Sequence, residues 1–333
     1  MLQRTLDTAQ FLARDPVARV RTGATPHAVL HRQGSVALRY FSPTEATQTP
    51  VLISMPLINT WTIWDLLPEV SLVAALLCRG IPVYLVDWGR PGVEDAQRPM
   101  SYFVDDVLGR AFDRARRHAI GAHGTDQLDA IGYCVGGTFL AVHLARHDHA
   151  RKAAFVCTPI DFHQSGRLAR WATPERFPVD VAIDAYGSFP AEKIRDSFAW
   201  LRPMGNSRKW VSLWERIDDP AFPELWAALE RWNSDGVDFP GETYREYVKQ
   251  CYFDNALVRG GWVMAGRPVD LKRAKMPALA VAAAEDHIVE PPAATALAEA
   301  WGGQVDTQVV KGGHVGVSLS PRLPTVLADW LAR

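Results

Sequence analysis

Leu128-Asp129-Ala130-Ile131-Gly132-Tyr133-Cys134-Val135-Gly136-Gly137 is the stretch whose reading decides the fold. Leu128 to Ile131 is a short apolar run of the kind that forms a buried strand. After Gly137 the pattern changes to the helical spacing of Phe139, Leu140, Val142 and Leu144. Between them, Gly132-x-Cys134-x-Gly136 has the form of a nucleophile elbow, with cysteine in place of serine. The turn reverses so sharply that a side chain on either flank would clash, which is why glycines stand there. Such a turn lifts the Cys134 sulfur above the sheet. It aims the sulfur at the positive end of the next helix, where a thiolate, the reactive form, is favoured. The backbone N–H of Val135 then faces the place where an oxyanion would develop.

Working outward, β-branched runs alternate with helical patterns, which predicts a mostly parallel sheet flanked by helices. Upstream strands are expected at Val36 to Tyr40, Val51 to Ser54 and Val83 to Val86. Ser71 is expected to cap a helix that ends near Gly80, and Ser101 a longer one through Phe112. Downstream, Ala154 to Val156, Leu279 to Val281 and Thr307 to Val310 read as strands. Pro292 to Trp301 and Pro321 to Leu331 read as helices. Between about 160 and 262 this rhythm is lost, and the stretch holds seven of the twelve tryptophans. The expected organisation is a single domain over 1–333, with a core from about 1–159 and 263–333 and an inserted aromatic-rich cap over about 160–262.

In a fold of this kind the acid and the histidine follow the nucleophile in chain order, each just after a strand. Asp286 lies beyond the strand at Leu279 to Val281, and His314 beyond the one ending at Val310. Asp286 would orient His314, and His314 would take the proton from Cys134. Taken singly, Asp286 reads as a turn residue or N-cap and His314 as a glycine-loop histidine; the shared order favours a triad. His287 either hydrogen-bonds a carboxylate or packs beside Asp286. His143 and His147, four apart with His149 close by, lack an HExxH glutamate and read as a solvated helix face, so no metal site is expected. Cys78, Cys157 and Cys251 read as structural thiols.

With 36 Lys plus Arg against 37 Asp plus Glu, the net charge of −1 supplies no single-signed field for nucleic acid or anionic lipid. An anionic substrate must therefore meet a local basic patch, with Arg167, Arg170, Arg202 and Lys209 as candidates. No apolar run approaches the roughly 20 residues needed to span a bilayer. The first residues lack the apolar core of a signal peptide, and no CxxC pair or disulfide framework appears, so a reducing cytoplasm is expected.

Several further stretches carry a resemblance. Leu57-Ile58-Asn59, Val83 to Gly89, Gly132 to Gly137 and Thr158-Pro159-Ile160-Asp161-Phe162 belong to it. So do Trp232-Asn233-Ser234-Asp235, Pro240-Gly241, Val269-Asp270-Leu271, Glu285-Asp286-His287 and Gly312-Gly313-His314-Val315-Gly316. From about Thr49 onward the chain resembles the poly(3-hydroxyalkanoate) synthases, enzymes of α/β-hydrolase fold that polymerise (R)-3-hydroxyacyl-CoA into storage polyester such as polyhydroxybutyrate. Its short length is similar to the class III and IV catalytic subunits, although Tyr-Cys-Val at the elbow is closer to the large single-chain members. The resemblance implies that Cys134 is the acylated residue, His314 its base and Asp286 the acid partner. It also implies that the Ile58 N–H joins Val135 in the oxyanion hole. Further implications are a smaller second subunit, a homodimer, association with polymer granules, and no cofactor beyond the coenzyme A released as leaving group. The competing readings are a thioesterase or polyester hydrolase with the same triad, and a non-catalytic granule-binding protein.

Overall fold

The computed structural model describes the backbone of residues 1–333 and every side chain except that of Asn206. Its strands are β1 (Ala28–Gln33), β2 (Val36–Phe41), β3 (Val51–Ser54), β4 (Val83–Asp87), β5 (Asp129–Tyr133) and β6 (Ala153–Val156). They continue with β7 (Val263–Met264), β8 (Arg267–Pro268), β9 (Ala278–Ala283) and β10 (Val305–Val310). β7 and β8 make a separate ribbon, and the other eight form one sheet in the order β1-β2-β4-β3-β5-β6-β9-β10. Only β2 runs against its neighbours. This is the mostly parallel sheet expected from the sequence.

Burial follows position in the sheet. β3, β5, β6 and β9 are buried along their whole lengths, as strands covered by helices on both faces must be. The edge strands β1 and β10 are largely exposed and carry His31, Arg32, Asp306 and Gln308, polar residues that discourage pairing with another chain. That polarity is also why β1 escapes a reading based on apolar runs. It pairs with β2 across a turn at Gly34, whose φ of 58° is in the left-handed region.

The helix ends divide between local and distant control. Ser71 caps its helix, Leu72–Leu77, by accepting from the Ala74 N–H at 2.9 Å. Ser101 does not cap: its backbone is already helical, and the chain enters through a π-helical turn, Tyr102–Val107, before the α-helix Leu108–His123. The Met100 N–H just ahead of that turn is satisfied instead by the Glu246 carboxylate at 3.1 Å, a partner far away in sequence. The helix expected over 292–301 is two short pieces, Pro291–Thr295 and Leu297–Ala300.

Between β6 and β7 the chain is helical, including Gly166–Trp171, Val179–Tyr186, Ala191–Leu201, Gly205–Glu215, Phe222–Ser234 and Gly241–Tyr247. Its tryptophans split. Trp226, Trp232 and Trp262 are buried, whereas Trp171, Trp200 and Trp210 are exposed. Phenylalanine and tyrosine fill its interior, with Phe189 stacked on Tyr244 at a ring separation of 4.3 Å.

Candidate active site

The elbow stands at the carboxyl end of β5, in the middle of the sheet. Cys134 has φ 51°, a left-handed conformation that a side-chain-bearing residue holds only under constraint. The constraint is close packing around the glycines. A Cβ on Gly136 would lie 2.2 Å from the Met55 carbonyl oxygen, and one on Gly132 would lie 2.4 Å from the Gly137 Cα. The following helix, Cys134–Leu144, is buried on every side, so its direction is set by the core.

Asp286 and His314 meet above the same strands. The Asp286 Oδ2 lies 2.7 Å from the His314 Nδ1, while Oδ1 accepts from the Ile288 and Val289 N–H groups, each at 2.9 Å. Burial alone would keep the carboxyl neutral, but His314 and those two amides hold its pKa below the ordinary carboxylate value. Burial likewise opposes a charged imidazole. The Cys134 sulfur, within hydrogen-bonding reach, and the Asp286 carboxylate outweigh it and raise the His314 pKa to about 10. With its pKa so raised, the His314 imidazole is a strong acceptor for a proton from the nucleophile. Cys134, Asp286 and His314 are therefore brought together as the sequence order suggested.

Two supporting residues had only weak signals in the sequence. The Tyr133 hydroxyl donates to the His314 carbonyl oxygen at 3.0 Å, and its ring stacks on the His314 imidazole. Its place beside the nucleophile could have suggested this role. Cys157, read as a structural thiol, is buried, but its sulfur lies within 4.8 Å of both an Asp286 oxygen and a His314 nitrogen. Burial, then the adjacent carboxylate, pushes its pKa well up, so this thiol keeps its proton. Cys251 is buried as expected; Cys78 is exposed, because it caps the end of its helix rather than lying in the apolar stripe.

Ile58 and Val135 flank Cys134 in one cavity of about 250 Å³. The Val135 N–H belongs to the first turn of its helix, where no intrahelical acceptor exists. Ile58 is held by its carbonyl oxygen, which accepts from the Val237 N–H at 3.0 Å. The cavity walls are aromatic, with Phe198, Phe239, Tyr244, Tyr247 and Tyr252; of the cap tryptophans only Trp171 reaches it.

The other candidates separate. His287 lines a different cavity, with its Nδ1 buried and without a hydrogen-bond partner. His143 is fully buried rather than on a solvated face. Its Nδ1 lies 2.6 Å from the Val104 carbonyl, its Nε2 lies 2.9 Å from the His149 Nδ1, and burial and then its histidine neighbours push its pKa down to about 3. His147 pairs at 3.0 Å with Asp105, whose carboxylate is also gripped by Arg146 through both oxygens. These contacts tie the elbow helix to the π-helical turn. Lys209 is paired with Glu230 at 2.5 Å, whereas Arg167 and Arg202 line the cavity that holds His287.

The α/β hydrolase fold family matches residues 63–321. The poly(3-hydroxyalkanoate) polymerase subunit PhaC of Allochromatium vinosum is 32% identical over 94% of this chain and 90% of its own length. This chain belongs to the poly(3-hydroxyalkanoate) polymerase family. The PhaC subunit of Haloferax mediterranei is likewise 32% identical over 96% of this chain, which spans 66% of that longer relative. Among solved structures, the thioesterase domain from the curacin biosynthetic pathway aligns at a TM-score of 0.52 with 13% identity, over 93% of this chain and all of that one. At that identity the likeness shows the fold alone.

Proposed function

We propose that this protein is an acyltransferase that polymerises (R)-3-hydroxyacyl-CoA into poly(3-hydroxyalkanoate). The observation that carries the reading is a cysteine held at a strained elbow against a buried His314–Asp286 pair, in a chain of this polymerase family.

The Cys134 sulfur attacks the thioester carbonyl with its proton held on His314. The backbone N–H groups of Val135 and Ile58 receive the oxyanion, and its collapse expels CoA as a thiol that takes the proton back from His314. One thioester has replaced another of similar energy, so the acyl group stays activated. The hydroxyl of the next unit then gives its proton to the His314–Asp286 pair and attacks the carbonyl, forming the ester and freeing Cys134. Serine would hold the acyl group as an ordinary ester, nearer in energy to the product. The aromatic cavity walls keep water from the waiting thioester.

Relatives of similar length are named polymerase subunits, which supports action with a smaller second subunit. A homodimer working at the polymer granule completes the reading. Among the described residues no helix is long and apolar enough to cross a membrane. The test is incubation with 3-hydroxybutyryl-CoA, with and without co-purified small protein. Polymer plus free CoA is expected; soluble 3-hydroxybutyrate instead would make the protein a thioesterase.

A further inference from the structure

A second cavity, of about 460 Å³, opens beside the acyl cavity. Its walls include Arg167, Arg202, Arg208, His287 and Glu290. Their immediate sequence neighbours Leu168, Ile288 and Val289 face the acyl cavity, so one thin wall separates the two spaces. The dividing loop is also the one whose amides hold Asp286.

The charge in this cavity is unbalanced. Among the described residues, Arg167, Arg202 and Arg208 have no carboxylate partner, unlike the nearby Lys209, which is paired with Glu230. The Arg167 guanidinium donates to the Leu201 carbonyl oxygen at 3.2 Å, which fixes it against the helix Ala191–Leu201. Glu290, the one acid in the wall, is turned toward Gly166: a Cβ there would run into its carboxylate. The buried His287 Nδ1 has no hydrogen-bond partner.

Three guanidiniums without counter-ions match a multiply charged anion with several acceptor oxygens. We infer that this cavity binds the phosphates of the CoA thioester, with Arg202 and Arg208 as the principal contacts. The pantetheine arm then crosses the loop at 287–290 to present the thioester to Cys134. The inference rests on the acyl-CoA reading above and adds where the nucleotide end is held. The cap helix Gly205–Glu215 contributes Arg208 and the core contributes His287, so one bound nucleotide touches both.

The test compares kcat/KM for 3-hydroxybutyryl-CoA with that for 3-hydroxybutyryl-pantetheine, which carries the same thioester without phosphates. Each of Arg202→Gln and Arg208→Gln should lower the preference for the CoA thioester by about fivefold, an effect of the size expected for exposed charges. Arg117→Gln, exposed on the helix Leu108–His123 and outside the cavity, should leave the preference as it is. Calorimetry of free CoA binding to the Cys134→Ala protein should show the same loss when Arg202 or Arg208 is replaced. If both thioesters lose rate equally, or neither does, while wild type still makes polymer, the cavity assignment is wrong and the polymerase reading stands. If wild type consumes neither thioester but CoA binding still depends on the arginines, the polymerase reading fails and the anion site stands.

Discussion

Asp286 holds the His314 Nδ1 at 2.7 Å with one carboxylate oxygen while two backbone amides hold the other. The pair is thereby fixed from both sides, and the other ring nitrogen, Nε2, is left for Cys134.

Cys134→Ala should abolish CoA release and polymer formation while the circular dichroism spectrum stays native. Cys134→Ser should fall by orders of magnitude, since an alcohol is the weaker nucleophile at neutral pH. Polymer from the alanine protein at a substantial rate would mean that another residue carries the chain.

His314→Gln and Asp286→Asn should separate in rapid-quench experiments. Loss of His314 removes the first CoA burst, because the thiol has lost its base. Loss of Asp286 should leave part of that burst and stop elongation, if the carboxylate chiefly assists the incoming hydroxyl. Equal loss of the burst in both variants would make Asp286 an orienting group only.

The raised pKa of His314 links stability to pH. The folded value of about 10 lies above the unfolded value of 6.5, so the stabilisation is complete below pH 6.5 and fades as pH rises toward 10. The melting-temperature gap between wild type and His314→Gln should therefore narrow from pH 6.5 to pH 10. A gap that widens over that range would contradict the ion-paired histidine.

Gly136→Ala should cost about 3 kcal/mol in denaturant unfolding, since the new methyl meets backbone rather than a movable side chain. Tyr133→Phe should cost only about 1 kcal/mol, the worth of one hydrogen bond. Its clearer effect should be on CoA release, through a looser His314 loop. A Tyr133→Phe protein with wild-type kinetics would remove the tyrosine from the site.

The sequence by itself determined the strand–elbow–helix at Cys134, the buried strands beside it and the order of Asp286 and His314. Those features follow from local chemistry: glycines where the chain must turn, apolar runs where strands are covered on both faces, polar residues just past strand ends. The family likeness rested on these stretches together with others, such as Leu57 to Asn59, Trp232 to Asp235 and Pro240-Gly241. Tertiary structure decided what depends on residues far apart in the chain. Glu246, and not Ser101, meets the Met100 N–H just ahead of the Tyr102–Val107 helix, because a carboxylate distant in sequence arrives there. Lys209 pairs with Glu230, while Arg208, which sequence offered no reason to single out, turns into the cavity beside His287. Cys157 lies against Asp286 because β6 and β9 are neighbours in the sheet. Pairing across the fold has no periodic trace along the chain, so it emerges only when the strands and cap helices are packed.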